Sequence, residues 1–300
     1  RVARAYTGRD RVAVCGYHGW QDWYIGSTSR NRGIPEAVRQ LTHPFTYNDL
    51  DSLQGLMDEH PGEFAAVVME PMNVEEPAPG FLEGVKAAAH RNGALFVLDE
   101  IITGFRFAPG GAQELFGVTP DLAAFGKSMA NGYPVSAVVG NREIMKEMEE
   151  IFFSFTFGGE TLSLAAAAAT LQKIRTGNVV ERLWETGSRI VDGVGARLTE
   201  RGLNRTIQLA GTPPWSLLMF GDHESATAWE IKSLFVQEML ARGILITASH
   251  NVSFSHSPED VDTLLACYDE VLELLARALE EGTVQRRLIG EPIRPLFQVR

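Results

Sequence analysis

Cysteine is nearly absent, with only Cys15 and Cys267 in a chain of 300 residues. Two thiols cannot build a disulfide framework, and their scarcity suits a reducing compartment, so the cytoplasm is the expected location. Long apolar runs are missing too. The best candidate, "LSLAAAAATL", is too short and too rich in Ala to span a bilayer, so no membrane contact is expected. Positive charge is in deficit: 27 Lys and Arg stand against 38 Asp and Glu, a formal net charge of -11. That balance argues against nucleic acid as a partner, because such binders carry a basic face or stripe. It favours a protein that handles small molecules. The sequence as given does not open on Met, and no signal peptide is expected from its first residues. It opens on "RVARAYTGRD", which reads as the last turns of a helix stopped at Gly8. The expectation is a fragment of a longer protein. No internal repeat is visible.

What is present is enough apolar material, 45% of residues, to bury a large core. Short apolar runs at 11–16, 64–70, 94–100, 121–126 and 134–140 alternate with helical patterns at 49–61 and 81–93. The runs are continuously apolar, as in a mostly parallel sheet covered on both faces. Strands alternating with helices predict an α/β fold. A long Ala-rich helical region follows over 160–202, interrupted near Gly177 and Asn178. Beyond it lie a strand-like "WSLLMFG", a helix over "ATAWEIKSLFVQEMLARG", strand-like "ILITAS" and "VSFSH", and a last helix starting at Ser257 and Pro258. The expected organisation is a large cofactor-binding domain over 1–175 with its N-terminal part missing, a small C-terminal α+β domain over 176–282, and a tail over 283–300.

Ligands of open α/β sheets bind beyond the carboxyl ends of the strands. "RVAVCG" runs into Tyr17, His18 and Gly19, and "FAAVVME" ends in Glu70 before Pro71. "ALFVLDE" ends in Asp99 and Glu100, and "DLAAFG" leads to Lys127. Taken singly, Lys127 reads as a surface-loop lysine, Glu70 as a strand-end hydrogen-bonding acid and His18 as a structural histidine. Taken together, an aromatic, acids and a lysine on one sheet edge match the needs of pyridoxal phosphate. A lysine amine forms the Schiff base, an aspartate pairs with the protonated pyridine nitrogen, and an aromatic stacks on the ring. The protonated ring is an electron sink for negative charge at the substrate Cα, and the displaced lysine is placed to move the Cα proton. Its amine must be neutral for either task, which a partly desolvated site would favour.

"LDEIITGFR" (98–106), "GVTPDLAAFGKSMANGYPVSAVVG" (117–140), "YHG" (17–19) and "TFGG" (156–159) resemble the class III aminotransferases, nearest in pattern to glutamate-1-semialdehyde aminomutase-like members. The resemblance runs to about residue 280. It implies the fold type I architecture of pyridoxal-phosphate transferases: a three-layer, mostly parallel sheet with a smaller C-terminal α+β domain. It implies also a homodimer with shared sites, acting on an amino donor and a carbonyl acceptor, with no metal. By the same resemblance Lys127 holds the cofactor and Asp99 pairs with its pyridine nitrogen. Tyr17 stacks on one ring face, Ile101 packs on the other, and His18 and Glu70 line the site. Thr156 would reach the cofactor phosphate of the partner subunit, although on its own it reads as a turn-capping threonine before a Gly pair. Arg106 is read as a salt-bridged structural arginine.

The chain departs from that pattern in places. Ile102 stands where the aminotransferases usually carry Gln and the aminomutases Met, so an apolar residue sides with the aminomutase-like branch. Between Ser249 and Pro258 there is no acid, where the aminomutases carry a glutamate. "GGET" replaces the frequent "GGNP" after Thr156, which leaves Glu160 without an assigned role. The phosphate-binding turn expected upstream of Arg1 lies outside the sequence. Three readings compete: an aminotransferase, an intramolecular aminomutase of the glutamate-1-semialdehyde type, and a non-catalytic doubly wound binding protein. The Asp99 and Lys127 pair argues against the third, because a merely structural sheet needs neither.

Overall fold

The apolar runs pair into one six-stranded sheet in this computed structural model, which describes residues 1–72 and 74–294. Its strands are β1 (Arg11–Cys15), β2 (Thr42–Pro44), β3 (Phe64–Met69), β4 (Leu95–Asp99), β5 (Leu122–Phe125) and β6 (Ala137–Gly140). Their order is β2-β1-β3-β4-β5-β6. Every pairing is parallel except that of β5 with β6. Strand β3, apolar at every position, is buried along almost its whole length, which requires cover on both faces.

Helices supply that cover. Leu53 and Met57 of the helix Leu50–Glu59, with Phe81, Leu82 and Val85 of the helix Phe81–Arg91, pack with Phe64, Val67 and Phe96 on one face. Val2, Ala3, Tyr24 and Ile144 pack with Val12, Val14 and Ala66 on the other. The helix Leu50–Glu59 starts where the Asp49 side chain accepts from the Ser52 amide. The opening helix Val2–Thr7 stops at Gly8, whose φ of 67° only glycine adopts freely.

The Ala-rich region forms two helices, Thr161–Thr176 and Val179–Glu200, broken at Gly177 and at Asn178, which takes a left-handed φ of 49°. The chain divides into two units at that break. The second unit holds an antiparallel sheet of β7 (Ile207–Thr212), β8 (Trp215–Phe220) and β9 (Ser249–Asn251), in that order. Around it lie the helices Ala228–Ala241 and Pro258–Glu280, each opened by a reciprocal cap, Thr227 with Glu230 and Ser257 with Asp260. Phe235 and Tyr268, both fully buried, bring these helices together. The start of the tail is a short helix, Val284–Arg287, whose Arg287 carbonyl accepts from Gln237; the end of the tail lies outside the described residues.

Some expected strands are shorter or absent. Of "ILITAS" and "VSFSH", only Ser249 falls in a strand, β9, which continues through His250 and Asn251 between the two segments; Ala248, with a φ of 71°, breaks the extended run before it. "PVSAVVG" contributes only its last four residues, and β2 and β7 were not foreseen. Among the described residues, no helix is long and apolar enough to cross a membrane.

Candidate active site

Cys15 pairs with Met69, Met69 with Leu98, and Asp99 with Ala124, so the carboxyl ends of β1, β3, β4 and β5 finish side by side. The chain moves from β1 to β2 on one side and returns to β3 on the other. That reversal opens a crevice at the strand ends. Tyr17, His18, Glu70, Asp99, Ile101 and Lys127 all sit on segments leaving this edge.

Asp99 and His18 meet there, with Nδ1 of His18 2.7 Å from Oδ2 of Asp99. The other ring nitrogen, Nε2, lies 3.1 Å from the Cys15 carbonyl oxygen. The His18 side chain is 2% exposed, with Trp23 stacked at 6.1 Å and Tyr24 edge-on at 5.1 Å. The Asp99 carboxylate keeps a 15% exposed face, while its Oδ1 accepts from the Ile101 amide at 3.1 Å. The backbone that carries Tyr17 is equally fixed. Glu70 Oε2 accepts from the Tyr17 amide at 3.0 Å, and Gly16 lies so close that a Cβ there would sit 2.4 Å from the same oxygen. Burial, with the Glu70 charge adding to it, pushes the Cys15 thiol up to about 12, so this buried cysteine is inert. Tyr17 itself remains 43% exposed.

Lys127 follows β5 at the start of a single 3-10 turn, Lys127–Met129, with a left-handed φ of 39°. A lysine held there is backbone strain of the kind that clusters at functional positions, costing on the order of 1–3 kcal/mol. Two contacts set the turn: a Cβ on Gly126 would lie 2.9 Å from Ile101 Cδ1, and Ser128 Oγ donates to the Gly104 carbonyl at 2.7 Å. Lys127 is exposed rather than partly desolvated as expected, and its amine forms no hydrogen bond or ion pair among the described residues.

Glu100, which is fully buried, holds the loop that carries Ile101. Its carboxylate accepts from the Thr103 hydroxyl and from the Ala112 and Gln113 amides at 2.9 and 2.8 Å. Burial raises its pKa against the opposing pull of those donors. Sequence reasoning named Glu100 only as a strand end. It missed Trp23, Tyr24 and Ser128 altogether; the aromatic density of "YHGWQDWY" was the one available signal.

Thr156 stands apart. It lies in an exposed turn between Phe155 and Phe157, and its hydroxyl makes no hydrogen bond to the residues above. Glu160 receives a role the sequence did not suggest: it caps the helix Thr161–Thr176, accepting from the Leu162 and Ser163 amides at 2.7 Å each. Burial lowers the pKa of Arg106, whose backbone amide donates to the Thr103 carbonyl.

Comparison with known proteins follows the same lines. The family model described as class-III aminotransferase matches residues 4–265. The 3-aminobutyryl-CoA aminotransferase of Cloacimonas acidaminovorans is 32% identical over 87% of this chain and 64% of its own length. A glutamate-1-semialdehyde 2,1-aminomutase of Syntrophobacter fumaroxidans is 35% identical over 87% of this chain and 67% of its own. The FumI protein of Sphingopyxis sp. MTA144, solved in its pyridoxal-phosphate internal aldimine form, matches with a TM-score of 0.85 at 29% identity. That match covers 93% of this chain and 68% of the other. The chain therefore spans about two thirds of the length of the proteins it matches.

Proposed function

The chain belongs to the class-III aminotransferase family, and from that premise we propose that it moves an amino group between an amino acid and a carbonyl compound, using pyridoxal phosphate. The observation that carries the proposal is the pair of neighbouring strand ends that present Asp99, tied to His18, beside an unengaged Lys127 amine. The residues present fit the cofactor. An exposed aromatic residue, a carboxylate with one open face and an amine without a partner among the described residues suit a flat, cationic, aldehyde-bearing ring better than any metal.

Tyr17, His18, Glu70, Asp99, Ile101 and Lys127 would hold the group. When bound, it supplies an electron sink for negative charge at the substrate Cα. Asp99 would hold a proton on the ring nitrogen, and His18 orients that carboxylate. Tyr17 and Ile101 would supply apolar contact to the ring. Lys127 takes the Cα proton and returns it, and its turn next to Ile101 keeps the amine on the reacting side. Borohydride reduction of the loaded protein, followed by peptide mapping, tests the assignment. The label is expected on Lys127 and should vanish in Lys127→Ala, which should keep the fold. A label on Lys86 or Lys173 would overturn it.

A second reading, an intramolecular aminomutase, is favoured by the 35% identity to an aminomutase and by the apolar Ile102. The absence of an acid between Ser249 and Pro258 weighs for the aminotransferase. Incubation with pyruvate or 2-oxoglutarate separates them, since only a transaminase makes new amino acid continuously. The proposal includes a homodimer in which Thr156 serves the partner's site. It also includes a cytoplasmic location, which two free thiols support.

A further inference from the structure

Tyr24 contacts Gly16, Tyr17 and His18 along this edge. It lies on the four-residue helix Asp22–Ile25, and only 1% of it is exposed. Its hydroxyl donates to the Gly16 carbonyl at 2.7 Å. The neighbouring amide, that of Tyr17, donates to Glu70 at 3.0 Å. Both polar atoms of the Gly16–Tyr17 peptide unit are therefore engaged, one from each side. A peptide held at its oxygen and its nitrogen cannot rotate about its long axis, so the direction in which Tyr17 leaves the backbone is set. Gly16 contributes the space, with a φ of 102° and no room for a Cβ against Glu70. The Tyr24 ring then meets the Tyr17 ring at 90° and 5.7 Å, and the His18 ring at 77° and 5.1 Å. Edge-to-face contacts of this kind fix ring planes as well as positions.

We infer that Tyr24 is a positioning residue: with Glu70 it clamps the Gly16–Tyr17 peptide, and through its ring it aligns the Tyr17 stacking face and holds His18 on Asp99. The inference rests on the pyridoxal-phosphate reading for its consequence and on the geometry of the chain itself for its substance. The Tyr24 phenol is suited to the task. Burial, with the Glu70 charge next in effect, pushes its pKa above the ordinary value, so it remains a donor through the physiological range.

Tyr24→Phe keeps the ring and removes only the hydroxyl. In the cofactor-free chain, amide exchange at Tyr17 should accelerate about three- to tenfold, the effect of one lost hydrogen bond at a partly buried unit. Exchange in the helix Phe81–Arg91 should stay unchanged. Glu70→Leu removes the acceptor of the Tyr17 amide itself and sets the full acceleration expected when that side of the peptide is released. With pyridoxal phosphate added, Tyr24→Phe should weaken cofactor affinity and alter the circular dichroism of its visible band. In a Tyr17→Ala background, Tyr24→Phe should weaken affinity no further, because its effect passes through the missing ring. Unchanged exchange at Tyr17 in Tyr24→Phe, or affinity losses that simply multiply, would overturn the inference. A wild-type chain that took up no cofactor would instead sink the functional reading and leave the exchange comparison to decide the clamp.

Discussion

The placement of Lys127, Asp99 and Glu70 at one sheet edge was legible because strand ends can be read from apolar runs, and ligand chemistry collects at strand ends. Tyr24 was not, because its part depends on a short helix folding back over β1, which no local pattern encodes. The division of labour around Asp99 makes a sharp prediction. A carboxylate that keeps a ring nitrogen protonated matters most when negative charge develops at Cα, so Asp99→Asn should spare binding and damage proton removal. Exchange of the substrate Cα proton with solvent deuterium should fall by about 10²-fold or more, with a smaller change in cofactor affinity. Near wild-type exchange would mean that Asp99 only shapes the pocket. His18 was read as structural on its own, and its 2.7 Å contact with Asp99 would make that structural role serve the proposed site.

Elements hold these residues through buried polar anchors, and the anchors are where substitutions should cost most. Glu100 satisfies a hydroxyl and two amides inside the large unit. Glu100→Ala leaves all three donors buried without a partner and should cost about 2–4 kcal/mol of stability, measured by urea denaturation. A loss no larger than that of a surface substitution would show that water enters the gap. In the small unit, His250 lies between Ser216 Oγ at 2.9 Å and the Tyr268 hydroxyl at 2.7 Å, pinning β8, β9 and the helix Pro258–Glu280. Burial lowers its pKa from 6.5 to about 4. As pH falls, the unfolded imidazole therefore takes its proton first. This contribution to stability is whole above pH 6.5 and declines by about 1.4 kcal/mol per pH unit until about 4. Denaturation midpoints followed from pH 7 to 4 should slope less in His250→Gln than in wild type; parallel slopes would contradict the assignment. Element identity was more readable than element length. The strand expected over "ILITAS" is cut short by the φ of Ala248, a conformation that no apolar pattern forecasts.

At the scale of the molecule, the parallel sheet and the break near Gly177 were readable from texture alone, while the role of the segment around Thr156 was not. Within one chain Thr156 touches nothing of the site, and its neighbours Phe152, Phe153, Phe155 and Phe157 are between 57% and 81% exposed. Four exposed rings in six residues are costly on a protein with a net charge of -11, and patches of this kind mark surfaces that another molecule covers. The proposed second copy would cover these rings and would also give Thr156 and the Gly158 and Gly159 amides a task, as donors to the phosphate in the partner's site. Two variants separate the parts of that proposal. Phe155→Ser with Phe157→Ser should shift the chain towards monomer in sedimentation velocity and weaken cofactor binding in proportion to the dimer lost. Thr156→Val should leave the sedimentation coefficient unchanged and still weaken binding, by roughly the tenfold expected of one hydrogen bond to a charged group. The dependence on protein concentration distinguishes the two. Affinity in the double serine variant should recover as concentration drives reassociation, whereas no concentration restores Thr156→Val. A wild-type monomer with full cofactor affinity would refute the shared site, and it would leave the four phenylalanines to a different partner.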